Sequence, residues 1–337
     1  MKGIICEEPN RLNAVDVACP TKKAGEALIR IKRVGICGTD LNAFRGTQPY
    51  FTYPRILGHE LSGTIEEIGD NSDHLQVGDP VSIIPYLHCG SCIACRSGKT
   101  NCCTKMEVIG VHQDGGMCEM ISVPARNLVK AEGVTVEQAA LLEPLAIGAH
   151  AVSRSKLTEG ETVLVIGAGP IGLGVMQFAK RQGARVIAMD VNEQRLQFCK
   201  KWAHVGAVVN ALETPIQALA DLTKGDLPTI VFDATGNAKS MTDAFQYVAH
   251  GGSLLYVGLV NDHIHFSDPD FHKKEITLMG SRNATRKDFK SVLKALRKGE
   301  IDTEHYVTHR CKFDDMISQF DRWLLPESNV IKAMVEL

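Results

Sequence analysis

Four cysteines lie close together in the sequence at spacings that suit a metal ion. They follow the pattern C-x2-C-x2-C-x7-C and are Cys89, Cys92, Cys95 and Cys103. Tetrahedral Zn²⁺ takes four thiolates at about 2.3 Å, and a short loop can wrap this geometry. Because such a site has no open coordination position, we expect it to be structural. The alternatives are an iron–sulfur cluster or buried free thiols, and Cys102 competes for the fourth position.

A glycine-rich turn forms a second chemical pattern. It reads Gly167-Ala168-Gly169-Pro170-Ile171-Gly172 and directly follows an apolar run at 162–166. This order of strand, turn and helix is typical of dinucleotide binding, with Gly167 in the turn, Gly169 beside the pyrophosphate and Gly172 at the helix–strand contact. The helix N-terminus then faces the phosphates.

Asp190 indicates which nicotinamide cofactor this turn binds. It lies at the end of the next predicted strand, where a carboxylate accepts a hydrogen bond from the ribose 2′-hydroxyl and repels a 2′-phosphate. We therefore expect NAD rather than NADP. Arg195 could weaken this preference, although a solvated helix side chain is the simpler interpretation.

The secondary-structure elements that position these residues form two different patterns along the sequence. From Thr162 onward, short apolar runs alternate with amphipathic segments. The predicted strands are 162–166, 185–189, 208–209, 229–232, 254–257 and 277–279, and the predicted helices are 171–181, 193–202, 215–223, 240–249 and 286–297. This alternation predicts an α/β domain with a doubly wound parallel sheet. The first 145 residues carry short β-like runs broken by glycine and proline, such as 27–32, 63–68 and 81–84, and predict an irregular β-rich domain.

Composition excludes several classes of function. The chain has 337 residues, 44% of them apolar and 23% charged, and a net charge of −2. These values are ordinary for two globular domains and predict neither a nucleic-acid nor a membrane partner. The first residues contain too short an apolar run for a signal peptide. We therefore expect a cytoplasmic protein whose 11 cysteines serve metal binding or packing rather than disulfides.

Further motifs carry a resemblance to a known family. Cys37 lies in Gly-Ile-Cys-Gly-Thr-Asp, His59 lies in Gly-His-Glu-Leu-Ser-Gly, and Val-Gly-Asp-Pro-Val follows at 77–81. Taken alone, Cys37 and His59 would be ordinary core residues. Together with the four cysteines, Glu143-Pro144 and the glycine-rich turn, in this order, they resemble the zinc-dependent medium-chain alcohol dehydrogenases over essentially the whole chain.

The resemblance implies a second, catalytic Zn²⁺, making two per chain. Cys37 and His59 would hold it, and the carboxylates of Glu60 and Glu143 would share or exchange the remaining coordination with water. Which glutamate binds stays open. Position 143 is a glutamate, whereas the alcohol dehydrogenases that give the family its name carry cysteine there. In this respect the chain resembles the polyol, threonine and sugar-acid branch of the family.

The implied reaction is hydride transfer from a secondary alcohol to NAD, with Zn²⁺ lowering the pKa of the hydroxyl. Thr39 matches the hydroxyl position of the family's proton relay. The next relay position, usually histidine, is Asn42, which cannot titrate. A water chain, Glu60 or His112 would then release the proton.

The family's layout also implies domain bounds and cofactor contacts. A GroES-like catalytic domain with both zinc sites would span 1–147 and 290–337, and a Rossmann NAD-binding domain would span 148–289. Val257, Ser281 and Arg282 would border the nicotinamide half of the cofactor, although Arg282 could equally be a surface side chain. Relatives suggest a homodimer or homotetramer.

Three segments resemble bacterial sugar-acid dehydrogenases within this branch, namely 46–55, 110–116 and 266–274. They favour a small polyhydroxy acid as the substrate. A sorbitol-type polyol and L-threonine are the alternative substrates. The non-enzymatic alternative is an NAD-binding sensor that uses zinc only structurally.

Overall fold

The chain divides into two compact units, one formed by residues 1–144 with 285–337 and the other by residues 145–284. The computed structural model describes residues 1–49, 51–71 and 74–337. Among the helices in these ranges, none has the length and apolar content that a bilayer crossing requires.

The first unit is built on β-strands. Its strands are β1 Lys2–Glu8, β2 Arg11–Asp16, β3 Glu26–Ile36, β4 Arg55–Ile56, β5 Glu60–Ile68, β6 Pro80–Ile83, β7 Tyr86–Leu87, β8 Glu107–Val108, β9 Met120–Pro124, β10 Leu128–Lys130, β17 Val307–Lys312 and β18 Lys332–Glu336. Its helices are short except one, and are α1 Gly38–Phe44, α2 Ile93–Arg96, α3 Val136–Ala140, α10 Arg286–Arg297, α11 Thr303–Tyr306 and α12 Met316–Trp323.

The long strand β3 organises this unit. The main sheet has the order β10-β6-β5-β3-β18-β17, and β9 also pairs with β3. Strands β5 and β18 both run antiparallel to β3, which places Gly35 of β3 opposite Glu60 on one side and Met334 on the other. Segments distant in the sequence therefore meet at the end of β3, where Cys37 follows.

The second unit is a parallel sheet between helices. Its strands are β11 Thr162–Ile166, β12 Arg185–Asp190, β13 Ala207–Asn210, β14 Ile230–Asp233, β15 Ser253–Tyr256 and β16 Thr277–Gly280. Its helices are α5 Pro170–Arg181, α6 Glu193–Phe198, α7 Pro215–Thr223, α8 Ala238–Asp243 and α9 Asp268–Lys274, and α4 Leu142–Ser155 enters it from the first unit. The strand order β13-β12-β11-β14-β15-β16, parallel throughout, is that of a Rossmann fold.

The expected fold class, a β-rich domain plus a doubly wound α/β domain, is confirmed. Strand β11 and helices α7 and α10 have the predicted bounds. The helices predicted at 193–202 and 240–249 are α-helical over only part of their length. The first continues as a π-helical turn at Cys199–Ala203, and the second as a 3₁₀ turn at Ala244–Tyr247.

Candidate functional site

Cys37 lies at the junction between strand β3 and helix α1. It is the N-cap residue of α1, and its backbone N–H donates to Asp40 Oδ2 over 2.8 Å. This reciprocal cap holds the cysteine in extended backbone geometry just outside the helix. Thr39 lies in the first turn of α1 and is half-buried.

His59 is positioned by the same carboxylate. Its neighbour Gly58 has a φ of +94° and donates its N–H to Asp40 Oδ1 over 3.2 Å. The Nδ1 atom of the buried His59 ring lies 3.6 Å from Asp40 Oδ1, which is longer than a hydrogen bond. Burial lowers the pKa of His59, but the Asp40 carboxylate more than offsets this effect, so the pKa lies well above its ordinary value. Asp40 therefore holds the backbone at Cys37 and at Gly58, next to His59, through one hydrogen bond to each.

Glu60 completes a compact group of donors. The ligand atoms of Cys37, His59 and Glu60 all lie within 4.8 Å of one another. The Glu60 carboxylate is fully buried and accepts hydrogen bonds from Lys332 Nζ on both oxygens, over 2.6 and 2.8 Å. The sequence signals in the Gly-His-Glu motif locate Glu60, but they contain nothing that indicates Lys332.

Glu143 lies apart from this group of three. It is buried in the first turn of α4, and one of its oxygens accepts a hydrogen bond from the hydroxyl of the buried Tyr86. Burial raises the pKa of Glu143 to about 7, and the charge of Glu60 adds to the effect. The two carboxylates thus differ in their hydrogen-bond donors, since the Lys332 ammonium binds Glu60 and the neutral Tyr86 phenol binds Glu143.

This raised pKa predicts a pH-dependent stability of the metal-free protein. Glu143 titrates at about 7 when folded and has an ordinary value of 4.5. Between these values the unfolded chain has lost the proton and the folded chain keeps it, so stability falls as the pH rises. The shift corresponds to about 3 kcal/mol. Urea unfolding of chelator-treated protein across this range measures the loss.

Glu143→Gln is the control, because it cannot titrate. Its free energy of unfolding should lack the part of the pH dependence that belongs to Glu143. Equal pH dependence in the two proteins would contradict the assignment.

The donor set of this group suits Zn²⁺. A thiolate, an imidazole and a carboxylate are the ligands that zinc combines in catalytic sites, which use three protein ligands. Among the described residues, the buried His59 Nδ1 has no hydrogen-bond partner. The residues present therefore fit a catalytic zinc.

The four cysteines converge in a second group. Cys92 Sγ lies 3.4 Å from Cys95 Sγ and 4.0 Å from Cys103 Sγ, and all four sulfur atoms including Cys89 lie within 4.8 Å of one another. Thiolates bound at about 2.3 Å around a tetrahedral ion would be about 3.8 Å apart. The N–H of Cys95 donates to Cys92 Sγ and helps to lower the pKa of Cys92 to about 5. The group fits a structural zinc, and the exposed Cys102 lies outside it.

The glycine-rich turn forms the second unit's candidate nucleotide site. Gly167 has a φ of +96°, and a Cβ on Gly172 would lie 1.8 Å from the Gly167 carbonyl oxygen. Only glycine fits at these two positions. Gly169 is the N-cap of α5 and Pro170 occupies its first turn beside Ile171, so unpaired backbone N–H groups of the helix face outward from the turn.

Asp190 supports this turn directly. Its Oδ2 accepts from Ala168 N over 2.6 Å and its Oδ1 accepts from Asn192 N over 2.8 Å. Carboxylate oxygens have further lone pairs for a ribose hydroxyl. The guanidinium of Arg195 approaches the turn, since its Nη1 lies 3.9 Å from where a Cβ of Gly169 would be.

The remaining predicted contacts lie elsewhere in the second unit. Val257 donates its N–H to Asp233 O and follows β15, whereas Ser281 follows β16 and has a buried hydroxyl without a partner among the described residues. Arg282 is exposed.

Three residues that hydrogen-bond to the predicted site residues were not themselves predicted from the sequence. They are Asp40, Tyr86 and Lys332. The spacing of Asp40 after Cys37 is a capping-box signal that could have indicated it. Lys332 reaches Glu60 through the pairing of β18 and β5 with β3, and Tyr86 reaches Glu143 of α4 from 57 positions away. Neither contact leaves a local signal in the sequence.

Comparison with known proteins agrees with the geometry. Residues 23–133 match the alcohol dehydrogenase GroES-like domain family, and residues 170–298 match the zinc-binding dehydrogenase family. The chain therefore belongs to the zinc-type medium-chain alcohol dehydrogenases and is an oxidoreductase.

Individual relatives refine this placement. The chain is 44% identical to L-galactonate-5-dehydrogenase of Escherichia coli K12, over 99% of this chain and 98% of the relative. It is 31% identical to 2-dehydro-3-deoxy-L-galactonate 5-dehydrogenase of Pseudoalteromonas atlantica, over 91% of both. Among solved structures, the rspB alcohol dehydrogenase of E. coli CFT073, complexed with NADH, superposes with a TM-score of 0.93 at 33% identity, covering 100% of this chain and 99% of that chain.

Proposed function

We propose that the chain is an NAD-dependent zinc enzyme that oxidises a secondary alcohol of a sugar acid, of the L-galactonate class, to a ketone. The observation that carries the proposal is the donor group of Cys37, His59 and Glu60, whose ligand atoms lie within 4.8 Å of one another and in which His59 and Glu60 are buried. The similarity to two sugar-acid dehydrogenases supports the substrate class.

In this proposal Cys37, His59 and a glutamate carboxylate hold the catalytic ion. When bound, Zn²⁺ acts as a Lewis acid that lowers the pKa of the substrate hydroxyl, and NAD accepts the hydride. The chain holds His59 and Glu60 in buried positions, where charges interact more strongly than in water, and the Asp40 carboxylate faces the His59 ring over 3.6 Å. The substrate gives one hydride to NAD⁺ and one proton to the protein, which yields a ketone, NADH and H⁺.

Thr39 is the proposed first acceptor of that proton. Its half-buried position beside Cys37 in α1 supports this role. Asn42 is exposed and cannot titrate, so the route onward runs through water, Glu60 or His112. His112 is exposed, and its Nδ1 accepts the N–H of Val108 over 3.1 Å, which leaves Nε2 as its proton-carrying atom.

The proposed NAD site uses the turn at Gly167, Gly169 and Gly172 with Asp190. We expect Asp190→Asn to lower the ratio of kcat/KM with NAD to that with NADP at least about tenfold, which is about 1.4 kcal/mol. The amide keeps an acceptor oxygen but loses the charge that repels a 2′-phosphate. Steady-state kinetics with both cofactors measure the ratio.

Asp226→Asn is the matched control, because Asp226 is an exposed aspartate of the same unit. It should leave the ratio unchanged. An unchanged ratio in Asp190→Asn as well would show that Asp190 serves only the turn.

The substrate is tested by comparing L-galactonate, sorbitol and L-threonine with NAD on the same enzyme preparation. We expect L-galactonate to have the highest kcat/KM, and chelator-treated enzyme to be the inactive control. Absence of turnover with L-galactonate would contradict the sugar-acid assignment, and turnover of sorbitol or L-threonine would identify one of the alternatives.

Metal content separates the enzyme from a non-catalytic NAD sensor. The two donor groups, one of four cysteines and one of Cys37, His59 and Glu60, lead us to propose two Zn²⁺ per chain. Two zinc ions per chain in elemental analysis would support the enzyme, whereas one would support the sensor.

We also propose that the protein is a homo-oligomer. Strand β16 ends the parallel sheet, and Leu278 within it is 39% exposed. An open strand edge with an exposed apolar side chain is suited to pairing with the same edge of a second copy. This would join two chains as a dimer, from which a tetramer can be built.

A cytoplasmic location is the accompanying proposal. All 11 cysteines are free thiols in the structure, and the four-cysteine group needs reduced thiols to bind a metal ion. Such thiols persist in reducing compartments.

A further inference from the structure

Lys332 is a fully buried lysine whose role the proposed function does not use. It is 1% exposed and lies at the start of strand β18. Its Nζ donates to both Glu60 oxygens over 2.6 and 2.8 Å and to the carbonyl oxygen of Ile36 over 3.1 Å. All three donor positions of the ammonium are therefore used, and two of them are directed at one carboxylate.

Sheet geometry makes room for this ion pair. Glu60 lies opposite Gly35 across the β3–β5 pairing, and β18 lies on the other side of β3. A Cβ on Gly35 would lie 2.0 Å from Glu60 Oε2. The absence of a side chain at Gly35 thus opens the space in which the Glu60 carboxylate meets the ammonium.

The same carboxylate faces the metal donors. Its oxygen lies within 4.8 Å of the donor atoms of Cys37 and His59. The Lys332 ammonium and a bound metal ion would then both interact with the single negative charge of the Glu60 carboxylate. A carboxylate whose charge is shared with a close cation is a weaker metal ligand than a free one, because the ammonium stabilises the charge that the metal would otherwise neutralise.

We propose that Lys332 is a positioning residue that acts through Glu60, competing with the metal ion for its carboxylate. This inference rests on the proposed function. With Lys332 present, Glu60 binds the catalytic ion weakly and can yield its coordination position to water or substrate. Without Lys332, Glu60 binds more tightly and closes the position that the substrate hydroxyl needs.

The test compares wild type with Lys332→Met in the full-length enzyme loaded with Co²⁺. We expect the variant to lose Co²⁺ from the catalytic site to a chelator at least about threefold more slowly, to show an altered visible Co²⁺ spectrum, and to have a kcat at least about tenfold lower. The spectrum of the catalytic site is obtained as the difference from Cys37→Ser. Equal or faster metal loss with an unchanged spectrum would overturn the proposal and leave Lys332 as a structural ion pair.

Two further variants keep the test decisive. Lys332→Gln removes the charge but keeps a hydrogen-bond donor for Glu60, so it answers the question if the methionine variant does not fold. The double variant Lys332→Met, Glu60→Gln removes both charges and should abolish the slower metal loss, because no free carboxylate remains to bind the ion. Persistence of slow loss in the double variant would contradict action through Glu60.

Lys130→Met is the matched control. It removes a lysine that pairs with Asp79 over 2.8 Å in the same unit, outside the metal-donor groups, and should leave metal loss and the spectrum unchanged. If wild type shows no Co²⁺ spectrum that depends on Cys37, the proposed catalytic metal site itself fails. The inference about Lys332 fails separately, when that spectrum is present and Lys332→Met does not change it.

Discussion

Cys37→Ser is expected to lower kcat/KM for the proposed sugar-acid substrate at least about a thousandfold, which corresponds to about 4 kcal/mol of transition-state stabilisation. The thiolate is the softest donor in the group with His59 and Glu60, and a serine hydroxyl at neutral pH is a poor zinc ligand. Loss of the ion would remove the Lewis acid that the reaction needs. Kinetics with NAD and zinc analysis of the same sample measure both effects.

The fold should tolerate this change. Cys37 caps α1 through its backbone, because its N–H donates to Asp40, and serine is a favourable N-cap residue. The expected zinc content falls from two ions per chain to one while the thermal transition stays close to that of wild type. Full activity with one zinc ion would refute the catalytic site at Cys37.

Cys92→Ser is expected to have the opposite pattern. It should also leave one zinc ion per chain, but its main effect should be on stability, with Tm lowered by about 5 °C or more. Between residues 87 and 108 only Asn101 and Cys103 are buried, so this lobe has almost no apolar core. Its order would therefore depend on the metal ion.

Limited trypsin digestion follows the local part of this effect. Arg96, Lys99 and Lys105 lie exposed in the lobe and should become the first cleavage sites in Cys92→Ser. Cys102→Ser is the matched control, because Cys102 is exposed and outside the group of four sulfur atoms. Unchanged Tm and trypsin resistance in Cys92→Ser would contradict a structural zinc.

The fold of the second unit could be predicted largely from local sequence patterns. The Rossmann half could be predicted because each buried strand, such as β11, is a short apolar run and each helix repeats its apolar residues at helical spacing. The turn at Gly167 was recognisable for the same reason, since strand, glycines and helix are consecutive in the chain. The change to a π-helical turn after Phe198 and to a 3₁₀ turn after Asp243 was not predicted, because the apolar spacing does not distinguish these helix types from an α-helix.

The first unit was less predictable. Its strands pair across long separations, and short strands such as β4 and β7 have only two residues each, too few for any periodicity. The sequence predicted its β-rich character from strand-like runs and turn residues, but not the order of its sheet. The pairing of β18 with β3, and of β17 with β18, is seen only in the tertiary structure.

The types of the donors and their local spacing were determined by the sequence alone. Its four-cysteine loop and its glycine-rich turn are local patterns, and they predicted one metal ion and a dinucleotide; the second metal ion was implied only by the resemblance to a family. Resemblance to a family was needed to associate Cys37 with His59.

Only the tertiary structure decided how the two carboxylates differ. Glu60 meets Lys332 across 272 positions of sequence, and Glu143 meets Tyr86 across 57. These contacts arise from sheet register and burial, because pairing of β5 and β18 with β3 brings Glu60 and Lys332 together in the space beside Gly35. Local spacing does not indicate such partners, yet they determine the charge around the proposed metal site.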